Sequence, residues 1–409
     1  MARVLLLVPS ATYRAADFLD AARALGVEVV VAGDGVGAMA DLMGPRALEV
    51  SLADTEGAAA AIVAHDAHTP VDAVVAVDDR GTLVAARAAA GLGLRANPPD
   101  AVAAACDKLA MRRRLDAAEV DQPAFAVVPA EADEEAGARI VASLGFPSVI
   151  KPRTLAGSQG VLRVDDLDQA RRGLARVRAI AAAAGVAPGE SLLAERFVPG
   201  PEVAVEGMVT DGRLEVLAVF DKPDPLEGPA FEETIYVTPS RLGPEDLAAS
   251  AATAQAATRA LGLVDGPVHA ELRVSGGRAS VIEVAARTIG GLCARSLTFA
   301  TGRSLEHLVL AHALGLPEAS APREQGASGV LMLPIPAAGT FQGVDGQAEA
   351  LTIPGVTGLE ITTAPGRLVA PVPEGDRYLG FVFARAAHPA AVERALRRAR
   401  AVLRVRITP

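Results

Sequence analysis

"VIEVAARTIGG", residues 281–291, sets Glu283 inside an apolar run, follows it with Arg287 and closes on Gly290 and Gly291. A charge held in a β-like run is costly unless something pairs with it. A second run, "PVHAELRV" at 267–274, precedes it across "SGGR", which has the makings of a hairpin loop. Side chains alternate between faces along a strand, so His269, Glu271 and Arg273 share one face and Ala270, Leu272 and Val274 the other. On the second strand Val281, Glu283, Ala285 and Arg287 share a face, opposed by Ile282, Val284 and Ala286. Bringing both polar sets to one side demands an even index sum and hence an odd loop, such as a three-residue glycine loop with a bulge. Glu271 then lies opposite Glu283, with Cβ atoms about 5 Å apart. Opposed carboxylates repel unless a cation lies between them, and hard oxygen ligands at that spacing suit magnesium carried by a phosphate ligand. From these strands alone, a salt-bridge ladder to Arg273 and Arg287 fits equally well.

The rest of the chain narrows the choice. Its 409 residues imply two or three domains, and 51% hydrophobic with 22% charged residues describes a folded chain. A net charge of −10 argues against general nucleic-acid binding. Cys106 and Cys293 are the only cysteines, which supports neither a disulfide framework nor a zinc cluster. "MARVLLLVPS" reads as a first buried strand rather than a signal peptide, and no apolar run is long enough to span a membrane. A cytoplasmic location is expected. Of 39 basic residues only Lys108, Lys151 and Lys222 are lysines, leaving 39 − 3 = 36 arginines. A lysine is a compact point charge suited to a phosphate in a tight pocket, so these three draw suspicion.

Through the first hundred residues continuous apolar strands alternate with helices, as in "RVLLLV", "VEVVVAG" and "DAVVAVD". That pattern indicates a parallel sheet covered on both faces. "GDGVGAMADLMG" at 33–44 superficially resembles a dinucleotide fingerprint, but it follows the second strand and lacks the acidic partner, so NAD binding is disfavoured. After "ANPPD" (96–100) and the helix "CDKLAMRRRL" the chain turns strand-rich and mixed, with helices at 244–261 and 304–315 and a linker at 316–328. A small α+β domain follows. "VIKPRTLAGSQGV" puts Lys151 at a strand end before Gly157, Ser158, Gln159 and Gly160, small residues that let backbone amides approach phosphate. It lacks the G-K-[ST] ending of a P-loop. "LLAERFVPGPEVAVEG" supplies Glu195 and Glu202, either of which can accept from an adenine amino group or a ribose hydroxyl, or else be a solvated strand end.

Taken in order, Lys108, Lys151 with its glycine loop, Glu195, Glu202, Glu271, Glu283 and Arg287 resemble the ATP-grasp superfamily over essentially the whole chain. The "E-x-A-A-R" and "H-x-E" forms, with the tail "GVLMLPIPAAG…YLGFVFARA", look like its L-amino-acid (dipeptide) ligase branch. The resemblance implies an N-terminal doubly wound parallel-sheet domain (1–97), an ATP-grasp domain (98–318) with a mobile β-rich lid at about 125–195, and a small C-terminal α+β domain (319–409). It implies that Lys108 and Lys151 contact ATP phosphates under the Gly157–Gly160 loop. Glu195 with the backbone of Arg196, Phe197 and Val198 would read adenine, and Glu202 the ribose. Glu271 and Glu283 would bind Mg2+, or Mn2+ in its place, and Arg287 would hold the transferred phosphoryl group. Ala285 stands where relatives carry an asparagine ligand, so either a second metal is incompletely coordinated or a water takes the amide's place. Lys222 and Glu233, in "FDKPDPLEGPAFEETIYVTPSRL" (220–242), would border the substrate site or belong to a solvated loop. His269 is expected to support Glu271 rather than touch substrate. The implied reaction is ATP-dependent joining of a small acid and an amine through an acyl phosphate, with neither nucleic acid nor membrane as partner and a homodimer left open. A carboxylase of the biotin or purine type and a silent nucleotide-binding protein are the alternatives.

Overall fold

"RVLLL" becomes the strand β1 (Arg3–Leu7), whose two faces are both covered. The computed structural model describes every residue except 11, 37–42 and 320, together with the side chain of Glu318; half of the fingerprint-like stretch at 33–44 thus lies outside the described residues. β1 pairs in parallel with β2 (Glu28–Gly33) and β4 (Ala73–Ala76), and β3 (Ala47–Glu49) completes the order β3-β2-β1-β4. Leu5 and Leu7 pack with Ile62 and Val84 from helices α2 (Thr55–Asp66) and α3 (Asp79–Leu92). Val4 and Leu6 face the other way, onto Phe18 of α1 (Ala15–Leu25) and onto Met208, Val309 and Leu310 from the central part of the chain. Burial on both faces is why these strands read as unbroken apolar runs. The Asp78 side chain caps α3 by accepting from the Arg80 amide, and this fixes Asp78–Arg80 at the carboxyl edge of the sheet.

Helices α4 (Pro99–Cys106) and α5 (Lys108–Ala117) lead to a second, antiparallel sheet in the order β5-β8-β6-β7. Its strands are β5 (Phe125–Val128), β6 (Ser148–Lys151), β7 (Leu162–Val164) and β8 (Leu192–Arg196). Two helices that the strand-rich reading of this region passed over, α6 (Glu134–Ser143) and α7 (Leu167–Ala183), cover one side. Their signals were present: Asp133 and Asp166 each accept from an amide three residues on, and Ala170, Leu174 and Val177 recur at helical spacing.

The largest sheet has eight strands in the order β13-β12-β9-β10-β11-β14-β18-β16. It takes in β9 (Glu202–Thr210), β10 (Arg213–Asp221), β11 (Ile235–Thr238), β12 (Asp265–Ser275) and β13 (Arg278–Ala285). Past residue 319 it continues through β14 (Ala327–Leu333), β16 (Val356–Ile361) and β18 (Gly380–Ala386). Between these run β15 (Gly339–Asp345), α10 (Gln347–Leu351) and β17 (Leu368–Val369), and the chain ends on α11 (Pro389–Val402) and β19 (Arg404–Thr408). Helix α8 (Pro244–Leu261) backs the first strands: Ala254, Ala257 and Leu261 pack against Ala270, Leu272, Val281 and Val284. Helix α9 (Leu305–Ala313) bridges to the N-terminal sheet.

The β12–β13 register places Glu271 directly opposite Glu283, by a different route from the one the sequence suggested. The turn is the two-residue Gly276-Gly277, with φ of 59° and 76°, the pair of positive values that a type I′ hairpin demands. Parity is restored inside the ladder, where the pairing jumps from Glu271↔Glu283 to Leu272↔Val281 and leaves Ile282 as a bulge. Val281 therefore belongs to the core with Val284, and Ile282, expected in the core, lines the cleft beside Glu283.

Candidate active site

A cleft of about 880 Å³ opens between the lid sheet and the eight-stranded sheet, walled at its ends by Asp78–Arg80 and by Asp376, Arg377 and Tyr378. Of the residues singled out from sequence, Lys108, Lys151, Gly157, Ser158, Gln159, Glu195, Arg196, Phe197, Val198, Glu202, Glu233, His269, Glu271, Glu283 and Arg287 line it. Gly160 is tucked behind: its amide donates to the Pro373 carbonyl at 2.8 Å and is not offered to a phosphate. Lys222 lies under the floor with its ammonium bonded to wall carboxylates. It is buried, which removes the solvated-loop alternative, and the short strand β11 anchors the end of its segment.

At one end Phe197 stacks on Phe231 with ring centroids 6.4 Å apart and carries the guanidiniums of Arg163 and Arg273 over its ring, while Val149, Leu226 and Ile282 complete an apolar slot. Glu195 was expected to face adenine. Instead it is buried and shared by two cations, Arg112 at 2.6 Å and Lys151 at 2.7 Å. Burial alone would raise its pKa, but those two charges overrule it and hold the carboxyl down at about 2. The same crowding acts in reverse on Lys151, whose pKa is lowered by burial first, with Arg112 and Lys108 adding to the shift against the pull of Glu195. This end of the site is short of negative charge.

The other half has the opposite deficit. The Lys222 ammonium bonds Glu202 at 2.7 Å, Glu271 at 3.0 Å and, closer still, Glu233. The three carboxylates have oxygens within 4.8 Å of one another; counting Glu206, four carboxylates here face three cations, Lys222, Arg273 and His269. Glu271 is driven well below the carboxylate range because Lys222 and His269 outweigh its burial. Burial pushes Glu233 up to about 7, with Glu271 and Glu202 adding to Lys222's failure to neutralise it fully. Lysine pKa follows suit: burial opposes the charge on Lys222, but the three glutamates carry it well above normal. His269 spans Glu206, by a short bond from Nδ1, and Glu271, at 3.2 Å from Nε2. Burial resists its charge, and the two carboxylates raise its pKa to about 9.

The ladder reading of the opening strands fails, because neither arginine meets either glutamate. Arg273 donates to Glu202 at 2.9 Å, and Arg287 pairs with Asp79 of the N-terminal domain. Glu283 lies 3.4 Å from the Lys108 ammonium, which also donates to the Leu155 carbonyl. The glutamates are thus paired with lysines from distant segments, not with each other. Ala285 faces the cleft opposite His269. As a metal site the donors are hard carboxylate oxygens: Glu271 and Glu283 are cross-strand neighbours held by different ammoniums, Lys222 and Lys108, and Glu271 also clusters with Glu202 and Glu233. Sequence reasoning missed Arg112, Asp79 and Glu206. Arg112 is fully buried and also ties the lid to the bulge by donating to the Val281 and Ile282 carbonyls.

Comparison with known proteins follows the same division of the chain. The ATP-grasp N-terminal domain family matches residues 19–95, the ATP-grasp domain family residues 144–296, and the L-amino acid ligase C-terminal domain 2 family residues 331–408. Alanine–anticapsin ligase of Bacillus subtilis is 28% identical over 237 residues, 54% of this chain and 49% of that protein. Human carnosine synthase 1 is 32% identical over 171 residues, 40% of this chain and 20% of that protein. The chain thus spans about half or less of the length of these curated relatives. The crystal structure of an L-amino acid ligase from Bacillus licheniformis superposes with a TM-score of 0.81 at 25% identity, covering 100% of this chain and 99% of the other. With its domain order, paired sheets and carboxylate-bearing hairpin, the chain belongs to the ATP-grasp superfamily and carries the C-terminal domain of its L-amino acid ligases.

Proposed function

We propose that the protein is an ATP-dependent carboxylate–amine ligase acting on amino-acid substrates. The observation that carries the reading is the split charge of the cleft, with Lys108, Arg112 and Lys151 sharing two carboxylates, Glu195 and Glu283, and with Glu202, Glu206, Glu233 and Glu271 facing three cations, Lys222, Arg273 and His269. A polyphosphate bound with a divalent cation is complementary to both halves at once. Adenine would occupy the slot beside Phe197 and Val198, the phosphates would lie along Lys108 and Lys151, and Glu271 and Glu283 would hold Mg2+, with Mn2+ a substitute of the same class. The metal would offset charge on the β- and γ-phosphate oxygens.

A carboxylate oxygen of the acid substrate attacks the γ-phosphorus and the bond to the β-bridging oxygen breaks, giving an acyl phosphate and ADP. Arg287 then exchanges Asp79 for the transferring group, whose charge it and Lys108 offset, so that positioning and electrostatics supply the rate. The amine nitrogen attacks the acyl carbon, the carbon–oxygen bond to phosphate breaks, and an amide and phosphate leave. Closure of the lid keeps water from the intermediate. A phosphate-release screen over pairs of amino acids tests this: ADP and phosphate are expected only when an acid and an amine are both present. ADP release driven by bicarbonate with no amino acid would support a carboxylase instead.

A further inference from the structure

The C-terminal part of the chain reaches the cleft through Met332 of β14 and through the segment 371–378, and the lid docks on the latter. Gly160 donates to the Pro373 carbonyl at 2.8 Å, Gln159 to the Glu374 carbonyl at 3.0 Å, and Arg176 pairs with Glu374 at 2.7 Å. This contact sets Arg377 and Tyr378 into the cleft wall, which also includes Tyr13, Cys293 and Met332. Tyr13 and Tyr378 both pack on Phe381, at 5.7 Å and 6.4 Å between centroids, so an aromatic wall flanks the guanidinium.

Arg377 differs in its partner from the largely buried cations of the site. Lys108, Lys151, Lys222, Arg273 and Arg287 are held by carboxylates from distant parts of the chain. Arg377 pairs with the adjoining Asp376, at 2.9 Å and 3.3 Å, and that carboxylate's side chain is 50% exposed. A solvated pair between neighbours contributes little and is easily exchanged, while a planar guanidinium fork matches a carboxylate bidentately. We propose that Arg377 binds the carboxylate of the amine substrate, making the accepted amine an amino acid rather than a simple amine; this rests on the ligase reading above. Because the lid glycine loop grips the same segment, the subsite is completed only when the lid is down over the nucleotide.

The test pairs acyl-phosphate trapping with an amine series. Hydroxylamine converts an acyl phosphate to a hydroxamate and free phosphate, so hydroxamate formation reports the first step independently of the amine subsite. With the acid fixed, KM is measured for an amino acid and for its carboxamide, which lacks the charge. The wild type is expected to favour the amino acid by about tenfold or more, in line with loss of one charge-assisted pair. Arg377→Met should bring that ratio close to one, and Arg377→Lys should recover part of it. A wild-type ratio retained in Arg377→Met, with hydroxamate still formed, overturns the inference while leaving the ligase reading standing. Absence of hydroxamate in the wild type with every acid tried overturns the ligase reading, and the inference falls with it.

Discussion

Glu195 is a single carboxylate holding two buried cations, so its removal should cost more than a surface charge would. Its folded pKa of about 2 lies below the ordinary 4.5. The stabilisation it supplies is therefore complete above about pH 4.5 and is lost as pH falls through 2. A shift of that size corresponds to something on the order of 3 kcal/mol. Glu195→Gln should lose roughly that amount at pH 7 in urea denaturation, and the gap to wild type should narrow towards pH 3. An equal gap at both values would assign the loss to packing. Glu283→Gln, in a half-exposed position, should lower ADP formation by about a thousandfold or more with an unshifted melting temperature, because the reaction and not the fold depends on it. Near-normal turnover would contradict the metal assignment. At this scale the sequence was informative where a residue type was rare: three lysines among 39 basic residues all converge on the cleft. Arg112 was hidden because "MRRRL" offers three adjacent arginines, and only helix phase decides which one turns inward to Glu195. Asp79 was hidden because its partner, Arg287, is 208 residues away.

The hairpin of β12 and β13 shows how an element can be read correctly for an incomplete reason. Parity demanded one extra residue, and the strand supplied it as a bulge at Ile282 while the turn kept the two glycines of a type I′ hairpin. A bulge leaves no compositional mark, since any residue can occupy it, whereas turn glycines are visible. The lid glycine loop is constrained at a second point. Gly160 has φ of 72°, and a Cβ there would meet the Pro152 ring at 2.8 Å. Gly160→Ala should destabilise the lid by about 1–2 kcal/mol and raise the KM for ATP severalfold, read from denaturation and from ATP-dependent phosphate release. Unchanged KM would separate the loop from nucleotide binding.

In the molecule as a whole, the cleft draws on stretches that fold around different cores, among them the carboxyl edge of the N-terminal sheet, the lid, the β12–β13 hairpin and segment 371–378. The eight-stranded sheet joins the last two through β11 and β14, a continuity that composition did not reveal, because the stretch between them, 316–328, reads as a linker. Since the lid's glycine loop docks on the C-terminal segment and is proposed to cover the ATP phosphates, Mg2+–ATP should slow proteolysis at 152–161 severalfold relative to the free protein, as seen by peptide mapping. Cleavage at an unchanged rate would detach the lid from the nucleotide. In the proposed reaction a carboxylate oxygen of the acid passes to phosphorus. An acid substrate labelled with 18O in its carboxyl group should, in the presence of ATP, Mg2+ and an amine, yield inorganic phosphate carrying one 18O per amide formed, detected by mass spectrometry. Amide formed with phosphate free of label would contradict that route.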